Sequence, residues 1–262
     1  MNLQTLKKWA VLTRLVNNPV DFVLEEHDRK KSPWILRFRD GMEMEIRPGR
    51  GDGSAFRESF LQRDYLGPGQ AISPGDTVVD IGANMGCFTI FAARAVGPTG
   101  RVIAIEPVSE TFAQLRRNIE LTKLTNVTLV QAAVAGQPGE VTLTTSENSL
   151  FSSMFDTIDG RKNAGRSERV EAITLDQILQ RHNLDRVDFL KLDCEGAEHG
   201  IVESASVETL RAFGQIAMEI HDVDGARNAD LVDRVKGHGY SMSRDSVLLY
   251  FLRSAISTDL AR

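Results

Sequence analysis

The 262-residue sequence has only two cysteines, Cys87 and Cys194, and no apolar run near the roughly 18 residues that a transmembrane helix needs. Two cysteines offer no disulfide framework, which excludes a small disulfide-stabilised secreted scaffold and favours a reducing compartment. The N-terminus has no secretory layout, because its longest apolar run extends only from Trp9 to Leu12. These absences predict a cytoplasmic protein without a transmembrane segment.

A surplus of positive charge is also missing. The 31 lysines and arginines are outnumbered by 36 aspartates and glutamates, which gives a formal net charge of −5. This balance argues against binding to the phosphate backbone of a nucleic acid as the main activity. The composition is otherwise that of a globular protein, with 42% hydrophobic and 26% charged residues. The length predicts one or two domains with a sizeable core.

Residues 1–75 are predicted to form an N-terminal extension of helix, β-hairpin and helix packed on the core. Asp40-Gly41 lies between two short runs of alternating apolar and polar residues, which is a strong hairpin signal. The first helix, over residues 3–16, is amphipathic and basic. It could lie on a membrane surface, although docking on its own domain is the simpler interpretation. Ser54 is a cap candidate for the second helix.

Residues 76–262 are predicted to form an α/β domain, because short apolar strands alternate there with helices. This alternation is typical of a Rossmann-like, doubly wound and mostly parallel sheet. Two strands with no helix between them, Tyr240–Ser243 and Val247–Leu252, predict a C-terminal antiparallel hairpin at one edge. Residues 139–173 interrupt this pattern, because they are predicted to contain two short strands around a polar loop over residues 146–167. It is either a lid or a surface excursion.

The clearest motif is a strand that runs into a glycine turn and then into a helix, over residues 78–86. In a doubly wound sheet the ligand crevice lies at such a turn. Asp80, Gly82 and Gly86 form a D-x-G-x-x-x-G pattern, with Asn84 where a dinucleotide fingerprint has its second glycine. A carboxylate that closes the strand suits an ammonium or sulfonium group better than a pyrophosphate. The turn therefore favours S-adenosylmethionine over NAD as the cofactor.

Glu106 closes the next predicted strand. An acid in this position can accept hydrogen bonds from both ribose hydroxyls of a nucleoside, although it could also simply stabilise the start of the following helix. The third strand runs into small residues that include Ala133. Such residues would let an adenine ring lie flat, which places Ala133 among the candidate cofactor-binding residues.

Further acids and a histidine follow two other strands. Asp193 and Glu195 come after the buried run 187–192, and their charges repel unless a cation, a proton or a hydrogen bond intervenes. Glu198 is equally consistent with a stabilising acid at a helix start. His221 follows the next strand and is a candidate general base, because an unperturbed histidine titrates near pH 6.5, about neutral.

Three segments, residues 78–86, 105–107 and 191–198, resemble the FkbM family of S-adenosylmethionine-dependent methyltransferases. The resemblance covers about residues 55–222, and segment 191–198 is its most specific part. It implies a class I methyltransferase fold and methyl transfer, typically to a hydroxyl oxygen of a sugar, a natural product or another small molecule. By position, the resemblance assigns cofactor binding to Asp80, Gly82, Asn84, Gly86 and Glu106. It places Asp193 and Glu195 beside the methyl group and the acceptor.

The sequence leaves three questions open. Some related sugar methyltransferases hold Mg²⁺ with acids at the ends of these two strands, where this chain has Asp193 and Glu219. The paired aspartates expected after the second strand are missing, so dependence on a divalent metal is doubtful. An NAD-type oxidoreductase and a non-catalytic nucleoside-binding partner subunit remain alternative functions. The segments without a resemblance, 1–54 and 146–167, are where acceptor choice is expected.

Overall fold

The structure, a computed structural model, describes residues 3–146, 152–153, 157–158, 161–162, 165–223 and 227–253. Its helices are α1 Leu3–Leu15, α2 Pro19–Glu26, α3 Asp52–Phe56, a π-helix Arg57–Gln62, α4 Cys87–Val96, α5 Ser109–Thr122, α6 Leu175–Arg181, α7 Glu198–Ser204, α8 Val207–Ala212 and α9 Asn228–Lys236. None of the described helices has the length and the apolar composition that crossing a bilayer requires.

The strands build one large sheet and three smaller ones. They are β1 Trp34–Arg37, β2 Glu43–Ile46, β3 Thr77–Ile81, β4 Arg101–Ile105, β5 Val127–Val130, β6 Ala133–Val134, β7 Gly139–Ser146, β8 Ser152–Ser153, β9 Thr157–Ile158, β10 Arg161–Lys162, β11 Gly165–Ile173, β12 Val187–Leu192, β13 Phe213–Glu219, β14 Tyr240–Asp245 and β15 Leu248–Arg253. Apart from β1–β2 and β9–β10, which pair as two-stranded sheets, the strands belong to a seven-stranded and a four-stranded sheet.

The large sheet has the strand order β14-β15-β13-β12-β3-β4-β5. Strands β5, β4, β3, β12 and β13 are parallel, and β15 is antiparallel to both of its neighbours. This arrangement confirms the predicted Rossmann-like fold with a C-terminal antiparallel hairpin. The chain order reverses between β3 and β12, and a doubly wound sheet binds its ligands at such a switch point.

The central strands are buried on both faces. In β3 the side chains of Val78, Val79 and Asp80 are fully buried, and β12 is buried except for Asp188. Since a parallel sheet carries helices on both faces, such strands have no polar alternation. An ionisable side chain inside such a strand therefore needs a partner within the protein, and Asp80 and Lys191 are the two cases in β3 and β12.

The N-terminal residues contain the predicted helix and hairpin, together with elements that the sequence reasoning missed. Helix α2 was not predicted, although Pro19 at its first turn is a start signal. The helix expected from Ser54 is instead α3, which begins at Asp52, followed by the π-helix. Phe60 of the π-helix packs edge-on against Phe91 of α4, with ring centroids 5.8 Å apart. The domain boundary at residue 75 stays a prediction.

The insertion after β6 forms a second sheet, in the order β6-β11-β7-β8. Strands β7 and β11 pair along their whole lengths, so they are longer than the two short strands that were predicted. Most of the predicted loop 146–167 lies outside the described residues, including Phe151, Met154 and Phe155. Its function as a lid stays a prediction.

Replacing Phe56 by Ala should lower the free energy of unfolding of the whole chain by about 3–5 kcal/mol, since Phe56 is fully buried. Its ring lies 5.0 Å from those of Phe22 and Phe60, and this cluster continues into Ile90 of α4. We therefore expect one cooperative transition in calorimetry and in urea. Val20→Ala is the control, because Val20 is 62% exposed. A separate transition of the N-terminal residues, at a lower temperature or a lower urea concentration, would contradict a core that they share with the rest of the chain.

Candidate functional site

The glycine turn after β3 is held against two neighbouring strands. The backbone N–H groups of Gly82 and Ala83 both donate to the carbonyl oxygen of Ile105, each at 3.0 Å. Gly82 has a φ of 72°, and a Cβ added there would lie 1.7 Å from the carbonyl oxygen of Asp193. Glycine at position 82 therefore allows close contact with the chain that leaves β12.

Asp80 lies behind this turn, in the core. Its carboxylate accepts a hydrogen bond from Thr89 Oγ1 at 2.5 Å, and Oδ1 lies 3.4 Å from the ammonium nitrogen of Lys191. The same nitrogen lies 3.3 Å from Asp193 Oδ2 and donates to the carbonyl oxygen of Gly82 at 2.8 Å. Asp80 is fully buried and does not line the cleft, unlike the direct cofactor ligand that the sequence predicted. Its observed contacts are structural.

Lys191 is protonated and buried. Burial alone would lower its pKa, but the adjacent Asp193 and Asp80 carboxylates outweigh burial and raise the pKa of Lys191 above its ordinary value. The sequence reasoning did not single out Lys191. The available signal was a charged residue among Phe189, Leu190 and Leu192, in the apolar second half of strand β12.

Tyr65 brings a residue of the N-terminal segment into the site. Its hydroxyl donates to Asp193 Oδ2 at 2.7 Å and lies 3.3 Å from Glu219 Oε2. The ammonium of Lys191 lies 4.8 Å from the centroid of the Tyr65 ring, a cation–π distance. No sequence signal identified Tyr65, because its partners lie more than a hundred positions further along the chain.

A cleft with about 720 Å³ of empty space, including its open mouth, lies at the carboxyl ends of these strands. It brings together six of the predicted site residues, which are Gly82, Asn84, Glu106, Ala133, Asp193 and Glu195. Asp80, Gly86 and His221 do not line it. Gly86, with a φ of 98°, is the residue from which α4 begins.

Glu106 is oriented at one end of this cleft. Its Oε2 accepts the backbone N–H of Asn84 and its Oε1 accepts that of Val108, each at 3.0 Å. Burial raises the pKa of Glu106 to about 7 despite these two hydrogen bonds. A carboxylate has about four lone-pair sites, so both oxygens can still accept hydrogen bonds from a ligand.

His221 lies between two carboxylates. Its Nδ1 is 3.2 Å from Glu198 Oε1, and its Nε2 is 3.4 Å from Glu195 Oε2. Burial would lower its pKa, but the hydrogen bond to Glu198 and the charges of Glu198, Asp193 and Glu195 raise the pKa of His221 to about 10. The imidazole is therefore cationic at neutral pH, in contrast to the free general base that the sequence predicted.

Glu198 has the helix-start function that the sequence analysis left open. Its carboxylate is fully buried and accepts the backbone N–H groups of Cys194 and Gly196, at 2.8 and 3.0 Å. These bonds hold the turn that contains Glu195, whose φ is 53°. Glu198 thus orients both this turn and the His221 ring.

The site has more acidic than basic side chains. Burial and the Asp193 charge raise the pKa of Glu195 to about 8 and that of Glu219 to about 7. Ligand-capable atoms of Asp193, Glu195 and His221 lie within 4.8 Å of one another and could hold a divalent cation. Glu219, the other predicted metal candidate, instead lies against Tyr65. Such a cleft attracts a cation, whether a metal ion or an organic cation.

Comparison with known proteins assigns this chain to a protein family. Residues 80–242 match the model of the methyltransferase FkbM domain. The chain is 27% identical over 213 residues to the 31-O-demethyl-FK506 methyltransferase FkbM of Streptomyces tacrolimicus, covering 71% of this chain and 81% of that protein. It is 26% identical over 195 residues to the methyltransferase sdnD of Sordaria araneosa, covering 64% and 74%. A crystal structure of methyltransferase FkbM from Methylobacillus flagellatus KT superposes with a TM-score of 0.47 at 15% identity, covering 90% of this chain and 60% of that one.

Gly82→Ala should destabilise the protein by more than the about 1–2 kcal/mol that a left-handed backbone alone costs an L-residue. The added Cβ would overlap the carbonyl oxygen of Asp193 and push the two turns apart. Gly41→Ala is the matched control, since Gly41 also has a positive φ but nothing within 4 Å. Urea unfolding of both variants measures the difference. An equal loss of unfolding free energy in the two variants would show that the contact of Gly82 with Asp193 does not matter for stability.

Proposed function

The chain belongs to the FkbM family of S-adenosylmethionine-dependent methyltransferases, and we propose that it methylates a hydroxyl oxygen of a sugar or natural-product small molecule. Family membership decides against the NAD-type oxidoreductase. The name of the Streptomyces tacrolimicus relative describes O-methylation of a natural product, which supports the same reaction type here. The observation that carries the proposal is the cleft, whose lining includes the carboxyl groups of Glu106, Asp193 and Glu195.

The residues of the cleft fit the cofactor. We assign the ribose hydroxyls to Glu106, whose two oxygens are already oriented by backbone N–H groups and have lone pairs to spare. Ala133 offers a small surface for the adenine. Gly82 and Asn84 also line the cleft, whereas Asp80 and Gly86 do not. Asp193 and Glu195 supply negative charge where the sulfonium would lie.

The cofactor supplies a methyl group that is already electrophilic, so the main task of the protein is alignment. Positioning of this kind can supply about 7–11 kcal/mol of the barrier. We assign proton acceptance to Glu195, because its carboxyl group lines the cleft. Since its pKa is raised to about 8, Glu195 acts as the base in its ionised form, whose share grows as the pH rises through 8. As the acceptor oxygen bonds to the methyl carbon and the C–S bond breaks, the hydroxyl proton passes to Glu195 and the electron pair of the broken bond remains on sulfur.

His221 acts through Glu195 in this scheme. As a cation between Glu198 and Glu195, it stabilises the ionised form of Glu195 and holds its carboxylate in place. It is therefore a positioning residue, which revises its predicted function as the base. A divalent cation at Asp193, Glu195 and His221 would require His221 to lose its proton, and it would then lower the pKa of a bound hydroxyl.

Glu195→Gln should lower kcat by about 10²–10⁴-fold, as expected for loss of a general base. The assay follows transfer of a labelled methyl group from S-adenosylmethionine to a panel of sugar and natural-product hydroxyls, read by mass spectrometry. Glu203→Gln on the exposed side of α7 is the control and should leave kcat unchanged. Methylation only of nitrogen acceptors would overturn the proposed O-methylation. An unchanged kcat in Glu195→Gln would remove the assignment of the base.

Affinity for S-adenosylhomocysteine should fall as the pH drops below about 7. The pKa of Glu106 is raised to about 7, so the carboxylate that accepts the ribose hydroxyls is protonated at lower pH and ionised at higher pH. Titration calorimetry between pH 6 and 8.5 measures this effect. Glu106→Gln should weaken binding by about tenfold or more and flatten the pH profile. An unaltered profile in the variant would assign the titration to another group.

A further inference from the structure

A groove between α1 and α4 lies apart from the cleft. It has about 840 Å³ of empty space, including its open mouth, and small-molecule sites typically have roughly 300–1,000 Å³. This α1–α4 groove is formed by α1, by the π-helix with the residue that follows it, and by the second half of α4. Among the described residues, none lines both this groove and the cleft at the strand ends. The groove is therefore a separate candidate binding site.

Much of the lining of the α1–α4 groove is apolar. The rings of Phe60 and Phe91 meet there edge-on, with centroids 5.8 Å apart. Val11 and Leu15, about one turn apart on α1, also belong to the lining, together with Ala95. Val11 is 40% exposed. A hydrocarbon chain in this groove would remove apolar surface from water, which is favourable in rough proportion to the area covered.

One arginine from each of the three elements lines the same groove. They are Arg14 of α1, Arg63 after the π-helix and Arg94 of α4. Arg94 forms a salt bridge with Asp40. The side chains of Arg14 and Arg63 form neither a hydrogen bond nor an ion pair with any described residue, although the guanidinium of Arg63 lies 5.8 Å from the centroid of the Phe91 ring. Since no acidic side chain is among the described lining residues, the groove has an excess of positive charge.

An anion is the complementary partner for these guanidiniums. Each guanidinium presents N–H donors in a planar fork, and the oxygens of a carboxylate or a phosphate match this geometry. An anion would also reduce the repulsion among the three like charges. Because the guanidinium of Arg63 lies over the ring of Phe91, the charged and the apolar parts of the groove adjoin. A ligand that fits both parts has an anionic head and a hydrocarbon chain.

We propose that the α1–α4 groove binds a single anionic amphiphile of the fatty-acid type. Its head lies at Arg14 and Arg63, with Arg94 as a third positive charge, and its alkyl chain lies on Phe60 and Phe91. This inference does not rest on the proposed methyl transfer, because the groove and the cleft have no described lining residue in common.

Two larger partners fit the groove less well. A stable protein interface usually takes roughly 20–30 residues a side, whereas eight described residues line this groove. A membrane-surface helix buries large apolar side chains, such as those of Trp, Phe and Leu, at the headgroup boundary. The large hydrophobic side chains that are exposed in the described part of the chain are all valines, and among them only Val11 lines the groove. These observations favour a small amphiphile over a protein or a bilayer.

Titration calorimetry of the whole chain with dodecanoate, kept below its micelle concentration, tests this inference. Dodecanoate should bind at one site. Hexanoate keeps the carboxylate but lacks six methylenes, and dodecyltrimethylammonium keeps the chain but reverses the charge, so each should bind at least about tenfold more weakly. Saturating S-adenosylhomocysteine should leave the affinity for dodecanoate unchanged. If S-adenosylhomocysteine itself does not bind, the proposed function fails and the test of the groove is unaffected.

The double variant Arg14→Gln/Arg63→Gln should weaken dodecanoate by about tenfold or more, as expected for loss of charged hydrogen bonds, and should not weaken dodecyltrimethylammonium. Arg29→Gln/Arg116→Gln is the matched control. It removes the same net charge at two exposed positions outside the groove, and it should leave the affinity for dodecanoate unchanged.

A second pair of variants tests the groove without removing an arginine. Val11→Asp places a carboxylate in the groove at a partly exposed position, so it should weaken dodecanoate by about tenfold or more while the chain still folds. Val20→Asp is its control, because Val20 is 62% exposed and lies outside the groove.

The inference is wrong if the wild type does not bind dodecanoate, if it binds the two amphiphiles equally, or if the variants and their controls lose the same affinity. Cosedimentation with phosphatidylserine vesicles distinguishes the remaining source of anionic heads. If the wild type cosediments with these vesicles but does not bind monomeric dodecanoate, and Arg14→Gln/Arg63→Gln abolishes cosedimentation, the groove contacts a membrane and the inference is overturned.

Discussion

The site depends on one buried cation, the ammonium of Lys191, at the point where the strand order of the sheet reverses. It lies between the carboxylates of Asp80 and Asp193 and donates to the backbone of Gly82. Each of these groups would be costly to bury alone, so their contacts tie the end of β3 to the end of β12. Because Gly82 also touches the backbone of Asp193, the two turns can form only together. The hydroxyl of Tyr65 then completes the surroundings of Asp193.

A second constraint is the excess of carboxylates around this cation. Asp193, Glu195 and Glu219 lie near one another with a protonated His221, and burial raises the pKa values of Glu195 and Glu219. In the proposed reaction, the sulfonium of the cofactor would reduce the repulsion within this cluster. The raised pKa of Glu195 also makes its ionised form a stronger base. Tyr65, which contacts Asp193, belongs to the N-terminal segment, so this segment contributes to the candidate site.

Local patterns in the sequence were sufficient for the large sheet. Strands β3 and β12 occur where apolar runs of β-branched and large residues predicted them, because a strand buried on both faces has few alternatives. The lengths of β7 and β11 in the second sheet were underestimated from the sequence, because both strands carry many polar residues. In the structure they are stabilised by pairing with each other. The π-helix was not predictable in the same way, because its turns are set by the packing of its aromatic residues, such as Phe60 against Phe91.

For the site, the sequence by itself determined the residue types at the strand ends: the acid and glycines of the turn, Glu106, and the acids after β12. These are local features, readable from a strand followed by a turn. Only the tertiary structure decided their surroundings. It buried Asp80 against Lys191, placed His221 between Glu195 and Glu198 so that it is cationic, and brought Tyr65 to Asp193. Charge states and hydrogen bonds depend on burial and on the distances between side chains that are far apart in sequence. The periodicity of residues along the chain gives no information on either quantity.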